Sequence, residues 1–462
     1  MNLQDTIVAP STPSVVSALG VIRMSGDKAI DICAKVFFLP NKKDFISHIV
    51  ANKAYYGFIK ENDTVIDEVI CTVFLAPNSF SGENTVEISH HGSPYIQSEI
   101  IRLLIQNGAR LAEKGEFSQR AFLNGKMDLS QTEAIADLIS SNNRFAHDLA
   151  MQQLRGSYRK ELKDIRQNFL HIASLLELEI DFSEEHEVFV DRDQLTKELT
   201  EVKQHLKSLV DSCSMGNAFK NGVPVAIVGK PNSGKSTLMN ALLKEDRSIV
   251  SDIQGTTRDT IEESITIQGL QLRFIDTAGI HNSEDTIEKQ GIERSFLAID
   301  KARIVLYIVD SSNEDYKSVN KNIELIKQKS DFKEKDLIII VNKSDISNLN
   351  KKDTLAFEKD KAIFISAKQN EGIQEITNII LETMHAEDFS SKVMISNQRH
   401  LHALEKALEE VSTALEATEF GISSDLISEN VRQATSYLGE ITGEITSEDI
   451  LTSIFSSFCI GK

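Results

Sequence analysis

Cysteine is scarce here: Cys33, Cys71, Cys213 and Cys459 are the only four in 462 residues, with no CxxC pair and no histidine cluster at metal spacing. Neither a disulfide framework nor a zinc site is indicated, and a reducing compartment is the simple reading. Long apolar runs are also missing, none approaching the ~18 residues of a membrane span. The opening stretch MNLQDTIVAPSTPS has no cationic segment followed by an apolar one, so it does not read as a secretion signal. Positive charge is in deficit: 50 basic against 69 acidic residues give a net charge of -19. Such a balance repels polyphosphate at long range and argues against bulk, non-specific nucleic-acid binding. A nucleic-acid partner would need a local basic face or a second protein. These absences predict a soluble, cytoplasmic chain with no membrane attachment, long enough for about three domains of roughly 150 residues each.

The tail SSFCIGK places Cys459 where a prenylation signal could sit. Prenylation calls for aliphatic residues after the cysteine, a suitable last residue and often basic residues upstream. Ile460, Gly461 and Lys462 follow Cys459, and SEDILTSIFSSF before it carries acid and no base. Lipidation is not indicated. Instead, Ser447 can cap a helix whose Ile450, Leu451, Ile454, Phe455 and Phe458 form an apolar stripe that docks the tail on the protein body.

Hydrophobic period divides the chain. Residues 1–122 mix strand-like runs (LGVIRMSG, EVICTVFLAP, TVEISHH) with a helical stretch, YIQSEIIRLLIQNGAR, closed by Gly108. Between 123 and 217, Leu162, Ile165, Phe169, Ile172 and Leu176, then Leu195, Leu199, Val202, Leu206 and Leu209, step by threes and fours, the seam of long packed helices. From 218 to 383 strands alternate with helices (VPVAIVG, LQLRFID, ARIVLYIVD, DLIIIVN, KAIFISA), which predicts a parallel sheet with crossover helices. Over 384–462 the helical step returns in Leu401, Leu404, Leu408, Val411 and Leu415, and in Ile427, Val431, Ala434 and Leu438. A multidomain α/β architecture is expected: an N-terminal α+β domain, and a discontinuous all-α helical domain with a Ras-like P-loop GTPase domain inserted in it. Two separate helical bundles are the alternative.

GKPNSGKS (Gly229 to Ser236) follows an apolar strand and opens a helix, as a phosphate-binding loop must. Its glycines turn backbone N–H groups on the phosphates, Lys235 offers charge to the β and γ oxygens, and Ser236, followed by Thr237, offers a hydroxyl to Mg²⁺. DTAG (Asp276, Thr277, Ala278, Gly279) follows the strand LRFI and reads as the switch that senses the γ-phosphate. In GTTRD, Thr257 would complete the magnesium shell. NKSD carries Asn342, Lys343 and Asp345. A carboxylate there accepts from both N1–H and the 2-amino group of guanine, donors that adenine lacks, so the nucleotide is GTP. Ser366, Ala367 and Lys368 supply the adjoining contact to the base. Where Ras-like switches have a water-orienting glutamine after DTAG, this chain has Ile280. Something else must place the water and supply positive charge.

These elements, with NSFSGENTVEISHHG, GEFSQRAFLNGKMDL, TEAIADLI, GIER, EITGEITSEDIL and IFSSFCIGK, resemble the MnmE (TrmE) family of tRNA-modification GTPases nearly end to end. The resemblance implies an N-terminal domain that binds a reduced folate (5-formyl- or 5,10-methylene-tetrahydrofolate) and dimerises. It carries Arg23, Glu87, Lys126 and Lys462 over to the folate site, with Cys459 beside it as a candidate catalytic group. It also implies a K⁺ ion bound by Asn232 and the loop of Ser251, Asp252, Ile253 and Thr256 when two G domains pair transiently, with Glu288 orienting the water. The implied partners are tRNA and a flavin-dependent MnmG (GidA)-type protein, joined with the homodimer in a heterotetramer. The implied outcome is a (carboxymethyl)aminomethyl group at C5 of the wobble uridine. This chain departs from the family at PSVVSALGVIRMSG, which lacks a Gly-rich turn before Arg23, and at SHHGSP, which bears on the fine shape of the folate pocket.

Arg155, Arg159, Lys163 and Arg166 form a basic row that could grip RNA phosphates, though a solvated helix face is the plainer reading. A ribosome-assembly switch would want an RNA-binding module such as a KH domain with its GXXG loop, and none is present. A membrane-remodelling GTPase would want a basic amphipathic surface, which the acidic balance opposes.

Overall fold

A computed structural model describes residues 5–40, 45–181, 192–245, 263–275, 288–330, 332, 335–346, 361–384, 393–446, 448–456, 458, 459 and 461. The chain divides into two compact units, one made of residues 1–139, 153–189 and 422–462, the other of 140–152 and 190–421.

The first unit is built on a seven-stranded sheet of β1 (Ile7–Pro10), β2 (Leu19–Ser25), β3 (Phe37–Phe38), β4 (Lys53–Glu61), β5 (Thr64–Phe74), β6 (Thr85–His91) and β7 (Arg110–Leu111). The order is β3-β4-β5-β6-β2-β1-β7, antiparallel except for β1 beside β7. Alternation drives it: Ile22 and Met24 on β2, and Val86 and Ile88 on β6, are fully buried, while residues between them are half-exposed. Two helices, α1 (Ala29–Val36) and α2 (Pro94–Gln106), cover that apolar face and complete its core. The expected stop of α2 holds, since Asn107 caps it and Gly108 follows at φ 114°. Then come α3 (Glu116–Leu123) and α4 (Leu129–Ser140).

Past α5 (Arg144–Leu154) lie two long helices, α6 (Ser157–Asp181) and α7 (Arg192–Asn221). Every residue of the two seams read from the sequence is buried, from Leu162 to Leu176 and from Leu195 to Leu209. At about 1.5–3 kcal/mol for each side chain fully removed from water, these stripes hold the helices more than intrinsic propensity does.

In the second unit a six-stranded sheet contains β8 (Val223–Gly229), β9 (Glu263–Ile267), β10 (Leu270–Phe274), β11 (Ile304–Asp310), β12 (Asp336–Asn342) and β13 (Lys361–Phe364). Its order is β13-β12-β11-β8-β10-β9, and only the β9–β10 hairpin is antiparallel. The central strands are apolar along their interior, Ile304–Val309 and Leu337–Val341, because helices cover both faces. Those helices include α8 (Lys235–Glu245), α9 (Glu288–Lys301), α10 (Tyr316–Lys329) and α11 (Ile373–Thr383).

After the sheet come α12 (Gln398–Glu419), α13 (Ser424–Thr442) and α14 (Glu448–Ser456). Within its own unit α12 packs along α7, and within the other α13 packs along α6. One detail differs from the spacing: Leu404 and Val411 are fully buried, but Leu401, Leu408 and Leu415 are only half-buried, and Ala403, Ala407 and Ala414 complete the covered stripe of α12. Small residues there let the backbones approach. The chain enters and leaves the sheet at neighbouring points, since Ile395 N donates to Ser212 Oγ at 3.2 Å and the Ile395 carbonyl lies against Gly216 of α7. None of the described helices is long and apolar enough to cross a membrane.

Candidate functional site

Strands β8, β11, β12 and β13 are parallel, so their carboxyl ends share one edge of the sheet, the usual place for a ligand in such folds. β8 ends in Gly229, whose φ of 156° takes the chain past the Ile308 carbonyl, so close that no side chain would fit. The loop then turns at Asn232 (φ 63°) and Gly234 (φ 101°), where a Cβ would collide with Asn342. Lys235 and Ser236 open α8, leaving the first N–H groups of that helix turned towards the loop.

The Lys235 ammonium curls back over this loop, donating to the carbonyls of Gly229 and Lys230 at 2.9 Å each. Burial lowers its pKa, since desolvation disfavours the charged form. Ser233 is fully buried and its Oγ makes no hydrogen bond among the described residues. A lysine folded onto its own loop, beside glycines that admit only backbone, fits a polyphosphate: the ammonium need only swing from carbonyl to phosphate oxygen.

Three loops meet on Asn342, the last residue of β12. Its Nδ2 donates to the Ser233 carbonyl at 2.9 Å and its Oδ1 accepts from Ala367 N at 3.0 Å. Asp345 stands exposed, its Oδ1 accepting from Ser366 Oγ at 2.8 Å, which orients the carboxylate while leaving its other oxygen for a base. Lys368 is exposed at the same rim, as is Thr237 on α8. The sequence reading missed the underside. Lys343 Nζ reaches Asp310 Oδ2 at 2.6 Å, and Lys230 Nζ reaches Glu314 Oε2 at 3.0 Å. Burial pushes the Asp310 carboxyl up, but the bonds from Lys343, Ser312 and Asn313 outweigh it and hold the pKa at about 2. Asp310 ends β11 and Glu314 lies in the loop that follows, a stretch that matches no nucleotide motif, so only the register of β11 on β12 brings them here.

Several expected residues lie outside the described part of the chain: Ser251, Asp252, Ile253, Thr256, Thr257, Asp276, Thr277, Ala278, Gly279 and Lys462, together with the cap Ser447. Glu288 is the first residue of α9, with its side chain outside the described part.

In the first unit, Arg23 and Glu87 are directly opposite on β2 and β6, joined at 2.8 and 2.9 Å. The guanidinium also faces the rings of Phe80 (5.1 Å) and Phe117 (5.8 Å), aromatic neighbours that the sequence did not disclose. Lys126 is exposed and donates to the Pro77 carbonyl at 2.8 Å, on the same loop as Phe80. The tail reaches this region. Phe455 and Phe458 are buried with Leu129, the Cys459 carbonyl accepts from Gly115 N at 3.4 Å, and Gly461 presses on the end of β1 at Pro10. Gly115 leads into α3 and so to Phe117. The Cys459 side chain is exposed. A carboxylate, a guanidinium and aromatic faces in one place form a donor set that fits a pterin.

Of the basic row read from the sequence, Arg155 lies in the turn before α6 and the other three are on α6, where Arg159 pairs with Asp128 at 3.3 Å and Arg166 with Glu444.

Comparison with known proteins bears on all of this. The profile described as "MnmE helical domain" matches residues 129–459, and that described as "GTP-binding protein TrmE N-terminus" matches residues 6–126. Proteins described as "tRNA modification GTPase MnmE" match over essentially whole chains. That of Christiangramia forsetii is 48% identical and that of Flavobacterium psychrophilum 45%, each with 100% of both chains covered. That of Bacteroides thetaiotaomicron is 44% identical over 99% of this chain and 100% of its own. Among solved structures, the G domain of the T. maritima FeoB iron transporter is 25% identical, covering 35% of this chain and 97% of that one, with a TM-score of 0.26. With family profiles that match both its N-terminal and its helical parts and relatives alike from end to end, the chain belongs to the MnmE (TrmE) family of tRNA-modification GTPases.

Proposed function

We propose that this GTPase is activated by K⁺ and works with a flavin-dependent, MnmG-type partner to build the (carboxymethyl)aminomethyl group at C5 of the wobble uridine, taking a one-carbon unit from a reduced folate. The observation that carries the reading is the convergence, in the first unit, of Arg23, Glu87, Phe80 and the tail around Cys459. A G domain used only for switching has no need of such a site.

In this reading residues 1–122 form the folate-binding and dimerising domain, 123–217 and 384–462 the helical domain, and 218–383 the G domain. Glu87 accepts from the paired N–H donors of the pterin, and Arg23 and Lys126 receive the ligand's carboxylates. The folate, when bound, supplies the one-carbon unit. At the other site Lys235 leaves its carbonyl partners for the β and γ oxygens, and Asp345 reads guanine. Ser236 and Thr257 would hold Mg²⁺, which neutralises phosphate charge. Asn232, Ser251, Ile253 and Thr256 would hold K⁺, which supplies the charge that an arginine supplies in other GTPases. Glu288 orients the water. Hydrolysis drives pairing and release of two G domains rather than giving atoms to the product.

The test is mass spectrometry of nucleosides from bulk tRNA in cells carrying the gene intact, deleted, or with Lys235→Ala or Arg23→Ala. Loss of the C5-modified wobble uridine in all three altered strains supports the reading. Loss in the first two with a normal profile in Arg23→Ala would sink the folate assignment. A companion assay compares GTP turnover in KCl and NaCl, where equal rates would remove the K⁺ role.

A further inference from the structure

The phosphate loop and the NKSD loop of the second unit are held from beneath by one turn. It runs from Asp310, the end of β11, to Glu314, and it closes on itself. Asp310 N donates to Glu314 Oε1 at 3.1 Å, Glu314 N donates to the Asp310 carbonyl at 3.0 Å, and Ser312 Oγ donates to Asp310 Oδ1 at 2.6 Å. Ser311 Oγ donates to the Asn342 carbonyl at 2.7 Å, which fastens the turn to the end of β12. The two carboxylates of this turn then diverge. Asp310 takes Lys343 of the NKSD loop, and Glu314 takes Lys230 of the phosphate loop, with Nζ 3.0 Å from Oε2.

Lys230 directly follows Gly229, at the entry of the phosphate loop. Its carbonyl accepts from the Lys235 ammonium at 2.9 Å while its own ammonium lies on Glu314, so one residue carries both the parked Lys235 and the tie to the turn. The exit of the loop has a separate anchor, the bond from Asn342 Nδ2 to the Ser233 carbonyl. Between the two anchors stand Pro231 and Asn232, both exposed.

The charge on Glu314 needs a reason. The residue is only 8% exposed, and a buried carboxylate next to a polyphosphate site opposes the ligand unless a cation covers it. Among the described residues, Lys230 is the one cation within ion-pair distance of Glu314. A neutral glutamine at this position would accept from Asp310 N equally well, so closing the turn does not require the charge. Holding the ammonium of Lys230 does.

We propose that Lys230 and Glu314 act as one positioning unit for GTP: the pair fixes the entry of the phosphate loop, and Lys230 cancels a carboxylate that would otherwise oppose the phosphates. The proposal rests on the GTP chemistry of the family, and it adds Glu314, which no nucleotide motif of the sequence contains.

The experiment uses the full chain, a fluorescent non-hydrolysable GTP analogue and the matching GDP analogue, with a thermal scan of each protein. The variants are Lys230→Met, Lys230→Met/Glu314→Gln and Lys230→Arg. Lys230→Met strips the cation and leaves the carboxylate, and should weaken the GTP analogue about tenfold, with a smaller loss for the less charged GDP analogue. The double variant removes the repulsion together with the anchor and should fall between Lys230→Met and the parent. Lys230→Arg keeps the charge pair and should match the parent. Equal affinities of the single and double variants would overturn the role of the carboxylate, and equal affinities of the double variant and the parent would overturn the anchor. A lower melting temperature with unchanged nucleotide affinity would overturn both, leaving the pair a brace of the fold alone. A parent that binds neither analogue would remove the GTP site itself, a failure distinct from these.

Discussion

Asn342 holds Ser233 by a 2.9 Å bond from its Nδ2 to the Ser233 carbonyl, tying the phosphate loop to a residue 109 positions later in the chain. The same amide accepts from Ala367, so one buried side chain fixes the loops for phosphate and base relative to each other. Replacing it with alanine strands a buried carbonyl and a buried N–H, at about 1–3 kcal/mol each. Asn342→Ala should therefore weaken GTP binding and lower the melting temperature, both of which a fluorescent-nucleotide titration and a thermal scan report. Unchanged affinity would mean that the loops are held by other contacts.

In the proposed reading Asp345 selects the base. Losing two hydrogen bonds to a charged acceptor costs about 3–6 kcal/mol, or roughly 10² to 10⁴ in affinity. Asp345→Asn should lose GTP by that factor and gain xanthosine triphosphate, whose 2-oxo group accepts from the new amide. Ser366→Ala, which only frees the carboxylate, should have a far smaller effect. Competition binding with the two nucleotides checks both.

Arg120 is 1% exposed and lies among Asp5, Glu83 and Glu116. Burial raises the carboxyls of Asp5 and Glu116, but bonds from Arg110 and Arg120 outweigh it and leave both below their ordinary values. Depressed carboxylates stabilise the fold above their unfolded pKa, near 4, and that contribution fades as pH falls through the folded values. Arg120→Met should destabilise the first unit by about 3–5 kcal/mol at pH 7, because it leaves buried charge unpaired, and by much less below pH 4. Melting curves at both pH values test this, and a penalty independent of pH would contradict it.

Asp310 repeats the argument on a smaller scale. Its pKa of about 2 means that the pair with Lys343 contributes fully above about pH 4 and is lost between there and about pH 2. Lys343→Met should lower stability by on the order of 1 kcal/mol at neutral pH, with the difference closing as acid is added. Parallel acid titrations of the two proteins would show whether the curves converge.

Cys459 is exposed, whereas Cys33, Cys71 and Cys213 are buried. The Cys71 thiol is pushed up by its bond with Cys33, 3.6 Å away, and by burial, and Cys213 is pushed up by burial. Native iodoacetamide treatment should add one adduct quickly, mapping to Cys459 by peptide mass. Fast labelling of a second thiol would show that the core opens on that timescale.

Gly461 has a φ of 96° and meets the end of β1 at Pro10 with no room for a Cβ. Gly461→Ala should detach the last residues while leaving the buried Phe455 and Phe458 in place. Limited carboxypeptidase digestion should then shorten the variant faster than the parent.

Much of this was fixed by local chemistry. The apolar steps of α6 and α7, the apolar runs inside β8, β11 and β12, and the Gly and Lys of the phosphate loop each carry their reason within a short window of sequence, because period and backbone freedom are local properties. So was the docking of the tail, legible as a stripe from Leu451 to Phe458. Other features needed the fold. That Ala403, Ala407 and Ala414 join Leu404 and Val411 in the covered stripe of α12, while Leu401, Leu408 and Leu415 stay half-buried, depends on how closely its partner approaches. Asp310 under Lys343 and Phe80 under Arg23 join residues that no motif links. Strand register and helix packing bring them together, and those are set by the burial of the whole core, which no short stretch of sequence contains.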